Sequence, residues 1–189
     1  KISDEVLEAE LKKSVASLEK ISNEKVQGFR APFFSISKHN LDKFNIIKKY
    51  FKYDSSIFPV KTPLYGIPDA PRFPYYFSSE TPLESSPDGD LLEIPPATLK
   101  IPVYGNIPIA GGFHFRFLPI FLIKYGINKL NKSGQSAMCY IHPKDLDKNM
   151  PIINSYSWHY YYNLKNAKSK FESILKNFKF CSVREMYSL

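Results

Sequence analysis

The chain has 189 residues, of which 43% are hydrophobic and 23% charged, with a formal net charge of +8. That length suffices for one domain with a buried core, and the composition excludes a disordered or fibrous chain. The basic residues are scattered, with pairs at Lys12-Lys13 and Lys48-Lys49 but no long run. They read as lysines on solvated helix faces, not as a nucleic-acid-binding motif. The longest apolar stretch, residues 117–123, is far too short to span a bilayer.

Residues 3–21 predict an amphipathic helix. Ser3 is a good N-cap, Asp4 and Glu5 suit the positive end of the dipole, and Leu7, Leu11, Val15 and Leu18 form one face. A short strand over 26–30 is stopped by Ala31-Pro32. Asn40 can cap a second helix reaching residue 50, with Leu41, Phe44, Ile47 and Phe51 facing inward, and residues 52–54 read as a second short strand.

Eleven of the 15 prolines fall between Pro59 and Pro108. Proline removes backbone donors and breaks helices, so this stretch is expected to be mostly irregular, with a strand at 91–94. A loop region of that length inside a domain usually has a function. A helix over 119–131, a strand over 137–141, a helix over 164–178 and a closing strand over 180–183 complete the chain. Leu164, Ala167, Phe171, Leu175 and Phe178 make the apolar face of the last helix. Cys139 and Cys181 read as buried thiols in the last two strands, and two cysteines make neither a disulfide framework nor a zinc motif. The alternation of helices and strands argues for an α/β protein with parallel strands.

In parallel α/β folds the loops after the strands' C-terminal ends build the active site. Arg30, Asp54 and His142 each lie at such a predicted end. A cation can hold a carboxylate and a carboxylate can tune an imidazole, so the three could converge on one pocket. They could equally be unrelated loop residues, and the pattern leaves both readings open. His39 is expected to be exposed beside a helix cap. His114 follows Gly111-Gly112, where two glycines permit close backbone approach. His159, inside Trp158-His159-Tyr160-Tyr161-Tyr162, reads as a packed residue of an aromatic cluster.

Five words then occur in order: Gly28-Phe29-Arg30-Ala31-Pro32-Phe33, Tyr53-Asp54-Ser55-Ser56-Ile57-Phe58-Pro59, Tyr65-Gly66-Ile67-Pro68-Asp69-Ala70-Pro71-Arg72, Glu93-Ile94-Pro95-Pro96 and Tyr140-Ile141-His142-Pro143. Together they resemble the polysaccharide deacetylases of the NodB-homology (carbohydrate esterase family 4) type, in the branch tied to bacterial exopolysaccharide synthesis. The resemblance implies the C-terminal part of a distorted (β/α) barrel in one domain over 1–189. Residues 55–112 would be a Pro-rich insertion and 143–189 a C-terminal extension.

It also implies hydrolysis of N-acetyl groups from an amino-sugar polymer. A divalent metal, usually zinc, would be held by an aspartate and two histidines and supply the nucleophile, while separate groups move protons. By this resemblance His142 is the general acid, Arg30 orients the basic aspartate, and Asp54 tunes His142. The backbone N–H of Phe33 would help hold the oxyanion, and Tyr65, Asp69 and Arg72 would lie on the substrate side. Within the branch Trp-Glu follows His-Pro; here Lys144-Asp145 stands in its place.

The motifs with the base and the metal ligands lie upstream of this chain's first helix in that family. The chain is therefore expected to hold no catalytic metal by itself and to associate with the missing segment or with a second copy. The expected partner is an N-acetylated polysaccharide, with no nucleic acid and no membrane segment. No signal peptide is visible. A non-catalytic glycan-binding remnant is the alternative, and acetate release separates the two.

Overall fold

A computed structural model describes residues 2–109 and 111–189. The chain falls into two compact units, Lys1–Pro95 and Pro96–Leu189.

The first unit opens with helix α1 (Asp4–Ser22), where the Ser3 hydroxyl accepts from the Val6 N–H at 3.4 Å and Asn23 closes the last turn in a left-handed conformation. Leu11 is buried and Leu7 and Val15 pack against the core, whereas Leu18 is exposed: the predicted apolar face ends one turn early. Strand β1 (Gly28–Phe29) follows, cut off by a 3-10 turn at Pro32–Phe34.

The predicted second helix is reduced to a 3-10 turn at Leu41–Lys43 and the single turn of α2 (Phe44–Ile47). Asn40 stands at the N-cap position of that 3-10 turn, but its side chain makes no cap bond. Its Oδ1 accepts from the Ser37 N–H and hydroxyl at 2.6 and 2.9 Å, so its side chain closes a local turn. The inward residues hold: Phe44, Ile47 and Phe51 are buried and Leu41 packs on them.

Strand β2 (Tyr53–Asp54) runs parallel to β1, and β4 (Leu91–Glu93) runs parallel to β2. Between these two in sequence, β3 (Tyr75–Phe77) pairs antiparallel to β4, giving the order β1-β2-β4-β3. Among the described residues this sheet is open, with β1 and β3 at its edges. Register places Phe29, Asp54 and Glu93 in one row across the three parallel strands.

The second unit begins with an antiparallel hairpin, β5 (Thr98–Ile101) and β6 (Gly105–Pro108), which proline content had argued against. Helices α3 (Gly112–Phe117), α4 (Ile120–Lys132), α5 (Pro143–Leu146), α6 (Leu164–Asn177) and α7 (Val183–Tyr187) follow, with α3, α5 and α6 packed together.

Two predicted strands are absent. Residues 137–141 are extended but unpaired as a ladder: their described backbone link is Ala97 N–H to Met138 O at 2.9 Å. Residues 180–183 lead into α7, because Ser182 and Glu185 form a capping box in which the Ser182 N–H donates to Glu185 Oε2 at 2.7 Å. Cys139 is thus half-buried in irregular backbone and Cys181 is exposed. Cys139 lines an apolar cavity of about 240 Å³ between α4 and α6, and burial pushes its thiol up to about 11. The architecture is mixed α/β: parallel pairing is confined to the first unit.

Candidate active site

The ends of the three parallel strands carry the polar groups of the first unit. Asp54 and Glu93 are register partners on neighbouring strands, and both side chains are fully buried. Asp54 accepts from the Ser56 N–H at 2.7 Å and from the Ser56 hydroxyl at 2.9 Å; Glu93 Oε1 accepts from the Ile57 N–H at 3.0 Å. Glu93 Oε2 has no donor among the described residues, and a proton on this carboxyl lets it donate to Asp54. Burial, then the charge of Asp54, pushes Glu93 well above the usual carboxylate range. Burial also raises Asp54, while the hydrogen bonds from Glu93 and Ser56 pull it back. Both carboxyls are thus held above their usual range, Glu93 the further, and Asp54 is the more readily ionised member.

Arg30 closes the same end of the sheet. Its Nε donates to Ser55 O at 2.8 Å and its Nη2 to the Ser55 hydroxyl at 2.6 Å, which in turn donates to Ile94 O at 2.6 Å. One guanidinium thus ties the ends of β1, β2 and β4. Its charge also favours ionisation of both carboxyls. Of the three strand-end residues singled out from sequence, Arg30 and Asp54 do come together in this unit.

Phe33 sits in the turn after β1, 87% exposed and with its backbone left-handed, φ 56°. Phe34 beside it is also left-handed, φ 51°, an uncommon conformation for aromatic residues that marks a locally strained turn. Tyr65 is half-buried, stacked on Phe58 at 5.9 Å and tilted against Phe34 at 5.5 Å, and the Arg30 guanidinium lies 5.4 Å from the Phe34 ring. Tyr65 therefore joins the Arg30 group through Phe34. Asp69 instead pairs with Lys38 at 2.6 Å on the surface, and Arg72 lies over Phe73 at 5.2 Å.

His142 belongs to the second unit. It does not end a strand but caps α5, with an exposed imidazole set edge-on to Tyr140 at 5.7 Å. Asp145 fixes its backbone: Oδ2 accepts from the His142 N–H at 3.3 Å. The same carboxylate pairs with Arg116, Oδ1 to Nε at 3.1 Å, and both side chains are almost wholly buried. The guanidinium also donates to Tyr160 O, Tyr162 O and His159 O at 3.2, 2.6 and 3.0 Å. His39 is exposed, and His159 is half-buried among rings, as expected from sequence. The close approach foreseen at Gly111-Gly112 is to Tyr140.

Three functional candidates had no role in the sequence reading: Glu93, and the pair Arg116 and Asp145. A carboxylate inside the apolar run 91–94 was the available signal for Glu93. Among the described residues no group of three His, Cys, Asp or Glu side chains could hold a metal ion. The donor set among these described residues does not fit a catalytic metal.

Residues 55–188 match the family described as Domain of unknown function (DUF3473). The chain is also similar in structure to a protein from Mycobacterium smegmatis described as a "putative polysaccharide deacetylase", at a TM-score of 0.50 and 16% identity. That match covers 94% of this chain and 52% of the mycobacterial one, so the chain spans about half the length of that protein. No curated protein matches the chain.

Proposed function

Because the chain belongs to the DUF3473 family, a polysaccharide deacetylase-associated domain, we propose that its complete protein hydrolyses N-acetyl groups from an amino-sugar polysaccharide. In this reading the chain is the C-terminal part of a distorted (β/α) barrel and supplies the groups that move and hold protons. The observation that carries it is the meeting of Arg30, Asp54 and Glu93 at the C-terminal ends of neighbouring parallel strands, where α/β enzymes build their sites.

His142 is the general acid. As water, giving one proton to the basic aspartate that the family resemblance implies, adds to the acetamide carbonyl and the C–N bond breaks, the imidazolium gives its proton to the leaving nitrogen, yielding acetic acid and a free amine. Its exposed ring on a backbone fixed by Asp145 suits that task. Arg30 positions the strand ends and biases nearby carboxyls toward the ionised form, and Asp54 is a reserve of negative charge beneath them. Phe33, in its strained turn, presents its N–H toward substrate. The metal that the family resemblance implies takes its ligands from residues other than these.

The test is acetate release from N-acetylated hexosamine polymers by the complete protein. His142→Ala is expected to lower kcat by about 10² to 10⁴ with little change in KM. Near-normal turnover removes the general-acid assignment. Glycan binding with no acetate release in the parent protein favours the non-catalytic reading.

A further inference from the structure

The second unit carries a cluster of aromatic rings that the proposed chemistry does not use. Phe117, Trp158 and Tyr162 are 51%, 66% and 39% exposed, and they are contiguous around the half-buried Phe113. Phe113 stacks with Phe117 at 5.5 Å and meets Trp158 edge-on at 5.7 Å; Tyr162 lies 5.8 Å from Phe117 and 5.7 Å from Trp158. Single exposed aromatics need no explanation, but a contiguous group usually marks an interaction site.

The segment that presents these rings is held from beneath by polar groups. Arg116 holds the carbonyls of His159, Tyr160 and Tyr162 and pairs with Asp145 in the interior. Asn163 Nδ2 and Lys170 Nζ both donate to Arg116 O, at 2.8 and 2.7 Å. Taking an ion pair out of water is costly, and a well-packed apolar substitute is often as stable. What the guanidinium does that an apolar side chain cannot is fix the carbonyls, and so the rings, in one geometry. Fixed, exposed rings form a preorganised surface, which loses little entropy on binding.

The chemistry of the surface selects its ligand. Ring faces carry negative charge, and the C–H face of a pyranose is apolar with weakly positive hydrogens, so the two stack. The Tyr162 hydroxyl and the His159 imidazole, which bonds to the Ser157 hydroxyl at 2.5 Å, can meet sugar hydroxyls at the rim. Asp145 joins this surface to His142, with one oxygen on Arg116 and the other on the His142 N–H. We propose that Phe117, Trp158 and Tyr162 form a stacking subsite for a hexosamine ring of the polysaccharide, held in register with His142 by the Arg116–Asp145 pair. This rests on the deacetylase reading for the identity of the polymer.

Trp158 is the only tryptophan of the chain, so its fluorescence reads the subsite directly. The chain is titrated with hexamers of β-1,4- and β-1,6-linked N-acetylglucosamine, with maltohexaose and a thymidine hexanucleotide as comparisons. A saturable change is expected with an amino-sugar hexamer, weakened about tenfold by Phe117→Ala or Tyr162→Ala, the order of effect that loss of one stacked ring has elsewhere. Calorimetry should show the same loss for Trp158→Ala and recovery in Trp158→Phe, with circular dichroism unchanged throughout. No saturable change with either amino-sugar hexamer overturns the proposal, as do unchanged affinities in the ring variants or tighter binding of the nucleotide. In the complete protein, acetate release at unchanged KM in Trp158→Ala removes the subsite and leaves the deacetylase reading intact. Ring-dependent binding without acetate release does the reverse.

Discussion

Glu93 stands with Asp54 in the interior, two carboxyls on adjacent strands that take their donors from the loop following β2: the Ser56 N–H and hydroxyl on Asp54, the Ile57 N–H on Glu93. Because burial and Asp54 hold Glu93 well above the usual range, the fold favours its neutral form. A group raised in this way contributes stability fully at low pH, and that contribution is lost as pH climbs through the raised value. Burial of Asp54 acts in the same sense, while Arg30 opposes both shifts. Glutamine has the shape of the neutral acid and does not ionise. Glu93→Gln should therefore match the parent in thermal melts near about pH 4 and melt increasingly above it toward about pH 9. A difference that does not change with pH would mean that Glu93 is ionised throughout. Glu93→Ala strands Asp54 and the Ile57 N–H and leaves a cavity, and should cost roughly 3–5 kcal/mol near about pH 4 and less as the pH rises.

At the scale of elements, the described strands of the first unit are two or three residues long, and their placement depends on side chains at their ends. Arg30, Ser55 and Ser56 bridge what the short ladders cannot: the Ser56 hydroxyl accepts from the Ala31 N–H at 2.7 Å while donating to Asp54. In the second unit, the start of α3 is set by close approach. A Cβ on Gly111 would lie 2.0 Å from the Tyr140 carbonyl oxygen, and backbone on both sides prevents relief. Gly134 has open space but a left-handed φ of 74°. Gly111→Ala should thus lose roughly 2–3 kcal/mol through overpacking, against about 1 kcal/mol for Gly134→Ala from backbone strain alone. Urea melts giving the opposite order would show that residues 111 and 140 do not meet.

For the molecule as a whole, β1 is an edge strand that pairs with β2 on one side. Unpaired backbone groups at a parallel edge recruit another strand when one is available. The 189-residue chain is expected to self-associate in a concentration-dependent way in sedimentation velocity, and a peptide or segment that supplies a strand beside β1 should suppress this. A chain that stays monomeric and fully folded at every concentration would show that the edge is blunted by its brevity.

Local periodicity determined the long elements. The helices at Asp4–Ser22, Ile120–Lys132 and Leu164–Asn177 follow from apolar residues spaced within a few positions of one another, with a Ser3 cap on the first. The words around Arg30, Asp54 and His142 were legible for the same reason, since each is a continuous stretch. Even β3 had left its mark, as Tyr75 and Phe77 are buried and Tyr76 exposed, but the prolines around it dominated the reading. Tertiary structure decided what depends on a distant partner. Residues 137–141 have strand composition yet no ladder, because a strand exists only where a neighbour accepts its bonds. For Glu93 and Arg116 the surrounding sequence does not show the partner. They became buried functional candidates because Asp54 and Asp145, remote in the chain, supply the partner that a buried charge or carboxyl requires.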